Sequence, residues 1–272
     1  MATLEAYLTA GAEGDLISWQ VQKSAMELFG CSCARVEEAI LTLGLLPARY
    51  QRNRQTISIA GQLKLFRSRV TVIGCGGLGG YIIEQLARLG VGELVVVDPD
   101  VFEEHNLNRQ ILSSLDNLGK SKVAAAVERV GAINPAVTVT PFEMAFCTAN
   151  GPELLAGTRL VVDALDNIPT RLDLAEVCAG LDLPLVHGAI GGWSGHVTTQ
   201  FPGEKSVEDI YCNWIYGKGM EQQQGNPAFT PAVIASLQVA EACKILLGEP
   251  DLLRKRMLTI DLQAMAFNEL HF

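Results

Sequence analysis

Basic residues are scarce in this sequence relative to acidic ones, and the imbalance limits which partners the chain can take. The 272 residues contain 21 lysines and arginines against 30 aspartates and glutamates, a formal net charge of −9. Nucleic-acid binding generally needs clustered positive charge to neutralise phosphates. We therefore expect no general nucleic-acid binding.

Long apolar runs and a secretory signal are also lacking. No uninterrupted apolar run approaches the ~20 residues that a membrane helix needs, so we expect no membrane partner. The seven cysteines are odd in number and scattered, which is typical of reduced thiols rather than of a disulfide framework. These features predict a cytoplasmic protein, and the 49% hydrophobic content predicts a sizeable buried core.

The N-terminal 48 residues differ from the rest of the chain. Apolar positions predict helices over 15–29 and 33–43, with Gly30 between them and Gly44 after the second. A DNA-reading helix-turn-helix is disfavoured because acidic residues outnumber basic ones here. We predict a helical extension over 1–48, used for docking or dimer packing, and a main domain over 49–272.

Strands and helices alternate from Arg69 onward. Continuous apolar strands such as Leu94–Val97 indicate burial on both faces, hence a parallel sheet. The alternation predicts an α/β fold with a doubly wound, mostly parallel, Rossmann-like sheet. Beyond Gly191 the pattern predicts a strand over 195–201, a long loop over 202–229, a helix over 230–247 and a C-terminal antiparallel pair of strands over 256–261 and 266–271.

A glycine-rich turn follows the first strand of this pattern and precedes an apolar helix. Its G-x-G-x-x-G spacing is formed by Gly74, Gly76 and Gly79. Glycines allow the backbone to approach phosphate oxygens, and the helix start offers unpaired N–H groups. Asp98 ends the second strand, where a carboxylate accepts hydrogen bonds from ribose hydroxyls. Together they predict a nucleotide site.

Polar side chains beyond the second strand indicate a triphosphate. Asn106 and Arg109 lie one helical turn apart, and Lys122 lies in the next helix. Asp163 and Asp166 end the fourth strand, at the edge of a parallel sheet where ligands bind. Asp166 is placed to hold magnesium against phosphate oxygens; a helix N-cap is the alternative role for Asp166 or Asn167.

With these motifs in view, the chain resembles the ThiF/MoeB/HesA family, the bacterial relatives of ubiquitin-activating enzymes. The resemblance runs from about Arg49 to Phe272 and depends on motifs in one order. They are Gly74–Gly79, Asp98-x-Asp100, Asn106–Gln110, Gly119–Lys122, Ile133–Pro135, Asp163-x-x-Asp166-Asn167 and Ala235–Ala242.

The resemblance implies a homodimeric adenylyltransferase that uses ATP and magnesium. Its substrate would be the C-terminal glycine carboxylate of a small ubiquitin-like sulfur carrier protein with a Gly-Gly tail, and pyrophosphate would be released. Nucleotide contacts would come from two sets of residues, the turn (Gly74, Gly76, Gly77, Gly79) and the polar groups (Asp98, Asn106, Arg109, Gln110, Lys122, Asp166, Asn167). Arg54 would be donated across the dimer, and Arg54, Arg109, Lys122 and Asp166 would be catalytic.

Two departures from the family pattern concern cysteines, and they affect the predictions about zinc and about a covalent link to the carrier. Members commonly carry two C-x-x-C pairs for structural zinc, whereas Cys212 has no such neighbour and no cysteine pair lies near the C-terminus. A tetrahedral zinc site needs four ligands, so we predict no zinc. The stretch 217–231 contains no cysteine either, which makes acyl-adenylate formation a safer prediction than a covalent carrier link.

Three other functions compete with this prediction. A zinc-free relative could act as a cyclising dehydratase on an RNA-borne carboxylate. An NAD-dependent oxidoreductase would use the glycine turn and Asp98 but would leave Asn106, Arg109 and Lys122 without a role. An inactive scaffold would bind the carrier without turnover, although the phosphate and metal residues are intact.

Overall fold

The computed structural model describes residues 3–212 and 224–272. Its centre is an eight-stranded mixed sheet in the order β10-β9-β8-β7-β6-β3-β4-β5. The strands are β3 (Arg69–Ile73), β4 (Glu93–Val97), β5 (Thr138–Phe142), β6 (Leu160–Asp163), β7 (Leu185–Gly191), β8 (Ser194–Gln200), β9 (Arg256–Asp261) and β10 (Ala266–His271). Strands β3 to β7 pair in parallel, and β7 to β10 pair antiparallel. The predicted fold class is therefore confirmed.

Helices cover the sheet and lie before it in the chain. In the described part they are α1 (Leu4–Ala10), α2 (Trp19–Phe29), α3 (Cys33–Thr42), α4 (Ile59–Phe66), α5 (Gly77–Leu89), α6 (Lys122–Ile133), α7 (Gly151–Leu154), α8 (Ile168–Gly180), α9 (Ser206–Tyr211) and α10 (Phe229–Leu247). Two buried clusters pack on the sheet. One includes Val72, Ile82 and Val239, and the other includes Val161 and Leu174. Burial of this apolar surface stabilises the sheet on both faces.

The N-terminal unit, residues 3–48, has a small core of its own. Leu8, Ile17, Val36 and Ile40 are fully buried in it, and a two-residue strand β1 (Leu16–Ile17) pairs in parallel with β2 (Leu46–Pro47). The strand β1 corrects the predicted helix over 15–29, because Ser18 caps α2 and the helix begins only at Trp19.

A buried polar cluster attaches this unit to the main domain. Arg49 donates to Glu37 at 2.7 Å, to Asn134 at 2.6 Å and to Gln22 at 2.6 Å. Tyr50 donates to Glu37 at 2.6 Å and accepts from Asn134 at 2.8 Å. Burial raises the pKa of Glu37, although the nearby Arg49 charge opposes the shift. Arg49 and Tyr50 thus bond both to Glu37 of the N-terminal unit and to Asn134 of the main domain, which leaves the buried carboxylate of Glu37 with two partners.

The predicted loop over 202–229 is wrong in part. Residues Ser206–Tyr211 form the helix α9, whose Val207 N–H is held by Gln200 at 2.8 Å. Residues 213–223 of that predicted loop lie outside the described residues. Composition gave no signal for α9, because tertiary contacts of Val207 and Tyr211 fix this short helix.

One helix among the described residues has the length and mean hydropathy of a membrane span, although charged residues interrupt its apolar sequence. Helix α10 spans 19 residues, and half of its most apolar window is buried inside the protein. Core helices of soluble proteins pass the same test. Here Ile234, Ala235 and Ala242 are fully buried in the main cluster, so α10 is a core helix of the sheet.

Candidate functional site

The glycine-rich turn leads from β3 into the N-terminus of α5. Gly74 has φ of +100°, and a Cβ there would lie 2.5 Å from the Ala164 carbonyl oxygen, so only glycine fits. Gly76 precedes α5, and no side chain caps that helix end. Among the residues that the structure describes, the first N–H groups of α5 therefore have no side-chain acceptor at the wall of a cavity, an arrangement that favours an anion.

A cavity of about 470 Å³ lies at the carboxyl ends of the parallel strands. We call it the first cavity. Of the predicted site residues, its wall contains Gly74, Gly76, Gly77, Asp98, Arg109, Gln110, Lys122, Asp166 and Asn167. Its wall thus combines a helix N-terminus, two cations and carboxylates. Its place in the fold is the one where open α/β sheets bind their ligands.

Asp98 is held rigidly at the end of β4. Its carboxylate accepts from the Cys75 N–H at 2.7 Å and from the Asp100 N–H at 2.8 Å. Burial raises the pKa of Asp98 despite these N–H bonds and the charge of Lys122. Lys122 lies 2.8 Å from Asp100 and 3.9 Å from Asp98, so its ammonium is fixed between two carboxylates at the first turn of α6.

Arg109 and Gln110 line the same cavity beside the glycine-rich turn. Arg109 donates to the main-chain oxygen of His105 at 3.2 Å and to Asn108 Oδ1 at 2.9 Å. Within the described residues no carboxylate lies within 4.0 Å of its guanidinium, so its charge is available to an anion. The buried Gln110 Oε1 has no hydrogen-bond partner there either. It is an acceptor that a ligand hydroxyl or amino group could satisfy.

A second cavity, of about 290 Å³, adjoins the first. The two share Asp166 and Ile190 in their walls. The second cavity is otherwise lined by small residues of β7 and β8 such as Gly191 and Gly195, by the side chains of Arg171, His196 and Tyr211, and by β9. Asp166 therefore lies where two compartments meet.

A buried network supports the loop that carries Asp166. Asp163 accepts from the Leu165 N–H at 2.8 Å and is bonded to His187 Nδ1 at 2.6 Å. Arg171 donates to the Leu165 carbonyl and to Tyr211 at 2.8 Å. Burial lowers the pKa of His187 against the opposing effect of Asp163. Burial thus favours the neutral form of His187, which donates from Nδ1 to the Asp163 carboxylate.

Comparison with known proteins identifies the family of this chain. The profile of the ThiF family matches residues 50–272. The chain belongs to the ThiF family. The prediction of an enzyme of the ThiF/MoeB adenylyltransferase type is confirmed with it.

Named relatives of this ThiF-family chain include proteins that activate sulfur carriers. It is 38% identical to the SAMP-activating enzyme E1 of Haloferax volcanii, over 80% of this chain and 83% of that protein. It is 35% identical to the sulfur carrier protein adenylyltransferase of Thermus thermophilus, over 77% and 80%. The adenylyltransferase and sulfurtransferase MOCS3-1 of Zea mays is 33% identical over 93% of this chain but only 56% of its own length.

Solved structures share the fold. The structure of E. coli MccB with ATP matches with a TM-score of 0.68 and 19% identity, over 98% of this chain and 85% of that one. E. coli tRNA N6-threonylcarbamoyladenosine dehydratase, TcdA, matches with a TM-score of 0.64 and 21% identity, over 74% and 95%. At these identities the likeness concerns the fold alone.

Four residues singled out in the sequence lie outside the wall of the first cavity in this ThiF-family chain. Gly79 is packed against the turn, and a Cβ there would lie 1.9 Å from the Gly74 oxygen. Asn106 is buried, and its Oδ1 accepts from the Glu103 N–H at 3.0 Å. Arg54 pairs with Asp15 at 2.8 Å. Asp163, expected to face the crevice, is fully buried and bonded to His187.

Several wall residues of the first cavity were not predicted. Asp100 pairs with Lys122, and Met144, Ala145 and Phe146 follow β5 at the same sheet edge. The rule that ligands bind at the carboxyl ends of parallel strands could have found the last three. Asn226 also lies in the cavity wall, and its main-chain oxygen accepts from Asn108 at 3.1 Å. Its position has no local sequence signal.

Proposed function

We propose that this protein adenylates the C-terminal glycine carboxylate of a small ubiquitin-like sulfur carrier protein with a Gly-Gly tail. The observation that carries the proposal is the wall of the first cavity, where an uncapped helix N-terminus, Arg109, Lys122 and Asp166 surround one space. The relatives named as a SAMP-activating E1 and a sulfur carrier protein adenylyltransferase support the substrate class. A pyridine-nucleotide site would leave both cations without a role.

The reaction needs positioning and charge neutralisation rather than proton transfer. A carboxylate oxygen of the carrier attacks the α-phosphorus of ATP, and the bond from that phosphorus to the bridging oxygen of the β-phosphate breaks. Because the attacking carboxylate is already ionised, no general base is required. The N–H groups of α5, Arg109 and Lys122 would offset the charge that develops on the departing pyrophosphate.

Magnesium fits the donor set at Asp166. The described residues contain no cluster of three or more histidines, cysteines and carboxylates. Mg²⁺ does not need one, since it is commonly held by one or two carboxylates together with substrate phosphates and water. Asp166 would be its protein ligand and would orient the phosphates. The absence of zinc stays a prediction, which metal analysis of the purified protein tests.

The second cavity offers an entry for the carrier tail. Its shared wall at Asp166 would bring an incoming carboxylate beside the α-phosphate, and Gly191 is among the small residues of its lining, which suits an extended chain of small residues. A Cβ at Gly195 would lie 2.5 Å from Ile234, so this part of the lining is fixed by packing. Beyond the cavity the body of the carrier would rest against the late strands.

Carrier-dependent exchange of labelled pyrophosphate into ATP tests the proposal. We expect exchange only when magnesium and a small Gly-Gly-ending protein of the same cell are present together. A matched carrier lacking its last glycine should support none. Exchange that does not depend on any such carrier, or none with every carrier of that cell, would contradict the substrate assignment.

We further propose a homodimer in which Arg54 of one subunit completes the site of the other. Homodimers of Arg54→Ala and of Asp166→Ala should each be nearly inactive. Mixed dimers should regain activity, since one of their two sites then has both residues. Mixed dimers that form but stay inactive would show that Arg54 does not act across the interface.

A cyclising dehydratase that adenylates an RNA-borne carboxylate is the second candidate. The fold shared with TcdA is compatible with it, whereas the net charge of −9 disfavours an RNA substrate. ATP turnover that depends on carboxylate-bearing tRNA, and not on a carrier protein, would select this function. Thermal stabilisation by NAD but not by ATP with magnesium would select an oxidoreductase instead.

A further inference from the structure

Arg54, the residue proposed to cross the dimer interface, forms an ion pair with the N-terminal unit. Its guanidinium forms a two-pronged ion pair with Asp15, with Nη1–Oδ1 at 3.0 Å and Nη2–Oδ2 at 2.8 Å. Asp15 lies just before the strand β1 of that unit. Both side chains are about one-third exposed, at 38% and 35%. The pair is therefore accessible at the surface but geometrically defined.

The backbone around Arg54 is anchored on both sides by buried residues. Tyr50, 1% exposed, belongs to the cluster with Glu37 and Asn134. Ile57 is buried in the main core, and its N–H donates to the Asn53 carbonyl at 2.8 Å. The backbone of Arg54 is thus held on both sides, and the contact with the Asp15 carboxylate restrains its guanidinium.

The ion pair leaves Arg54 able to bind an anion. A guanidinium has five N–H donors, and an end-on pair with one carboxylate uses two of them. Three donors remain for phosphate oxygens. Restricting a long side chain before the ligand arrives reduces the entropy lost when the contact forms.

We propose that Asp15 is a positioning residue for Arg54, and that the N-terminal unit thereby pre-organises the arginine it lends to the partner site. This inference rests on the proposed function, and it gives the helical extension a role in catalysis across the dimer. Asp15 itself would touch neither ATP nor the carrier.

Mixed dimers test this assignment by placing Asp15→Asn on one subunit at a time. One subunit carries Asp166→Ala and supplies Arg54; the other carries Arg54→Ala and supplies the working site. Asp15→Asn on the Arg54-supplying subunit should lower the recovered pyrophosphate exchange about two- to five-fold, the range for a partly exposed ion pair. The same substitution on the other subunit should have no effect.

Matched variants separate positioning from a general structural effect. Glu13→Gln removes an exposed carboxylate from the same segment and should leave the rate unchanged. Asp15→Asn should keep the melting temperature of the wild-type protein, and Asp15→Glu, which keeps the carboxylate, should restore part of the rate.

Equal losses from either subunit, an unchanged rate, or a faster rate would each overturn the positioning role of Asp15. If the parental mixed dimer without Asp15→Asn shows no recovery, the cross-dimer proposal for Arg54 has failed. Comparing the pyrophosphate exchange rates of the Asp15→Asn and Glu13→Gln homodimers then shows whether Asp15 contributes to activity at all. A rate equal to the wild type in the Asp15→Asn homodimer would refute its role in either case.

Discussion

Individual side chains set the electrostatics of the first cavity. Among them, Lys122 is nearly buried between two carboxylates. It is 8% exposed and lies between Asp98 and Asp100. A lysine so placed neutralises two carboxylates that would otherwise repel ATP, and it lies in the wall of the cavity where the phosphates of the proposed ATP would bind. Its charge therefore affects both ground-state binding and the reaction.

Lys122→Ala should reduce carrier-dependent pyrophosphate exchange by about 10²–10³, comparable with the loss of one pre-organised donor. The rate is measured under saturating ATP and magnesium. Lys120→Ala is the matched control, because Lys120 is exposed and outside the cavity wall. A loss shared equally by both variants would argue against a specific role for Lys122.

Residue by residue, the sequence predicted which side chains gather at the cavity better than it predicted their orientations. Arg109 and Lys122 follow parallel strands whose ends must meet at one edge, so chain order was enough. Asn106 shares that position, yet its amide caps its own short turn by accepting from Glu103. Asp163 turns inward to His187. The orientation of such a side chain depends on which neighbour offers it a hydrogen bond after folding.

At the scale of elements, strands were more predictable than short helices. The bounds of β9 and β10 equal their predicted ranges, and β4 contains the predicted apolar run Leu94–Val97, because buried apolar strands and an alternating hairpin have strong patterns. Helix α4 was not predicted and α9 was taken for loop. Their formation depends on Ser58 as an N-cap in the first case and on a contact from Gln200 in the second. Sequence periodicity over so few residues carries little information.

The junction of the glycine turn with α5 gives a prediction at this scale. Gly79→Ala would place a methyl group against the Gly74 carbonyl, and we expect about 1–3 kcal/mol of destabilisation with loss of thermal stabilisation by ATP. Chemical denaturation and melting measure the two effects. Gly131→Ala in α6, where a Cβ meets nothing within 4 Å, should instead stabilise by about 0.5–1 kcal/mol. Equal effects of the two would contradict the close approach at Gly79.

At the scale of the whole molecule, the N-terminal unit depends on the Arg49 cluster for its attachment. Glu37 is fully buried, and Arg49 supplies the charge that compensates it. Arg49→Ala would leave a buried carboxylate with Tyr50 as its remaining partner among the side chains that bond to it.

We expect Arg49→Ala to lower the free energy of unfolding by about 3–5 kcal/mol, the usual cost of breaking a buried ion pair on one side. Equilibrium denaturation measures it. Arg35→Ala serves as the control, because Arg35 is 57% exposed and its carboxylate partners lie 3.9 Å away; its stability should not change measurably. A small effect of Arg49→Ala would mean that the unit is held chiefly by its apolar contacts.

The strand order of the large sheet has a consequence for how the chain can assemble as it emerges from the ribosome. Strand β3 is made first, β4 and β5 then extend one flank, and β6 through β10 extend the other flank one after another. Every new strand thus joins an open edge, and none has to insert between neighbours that are already paired. Vectorial synthesis can therefore build this sheet from its middle outward without undoing any earlier pairing.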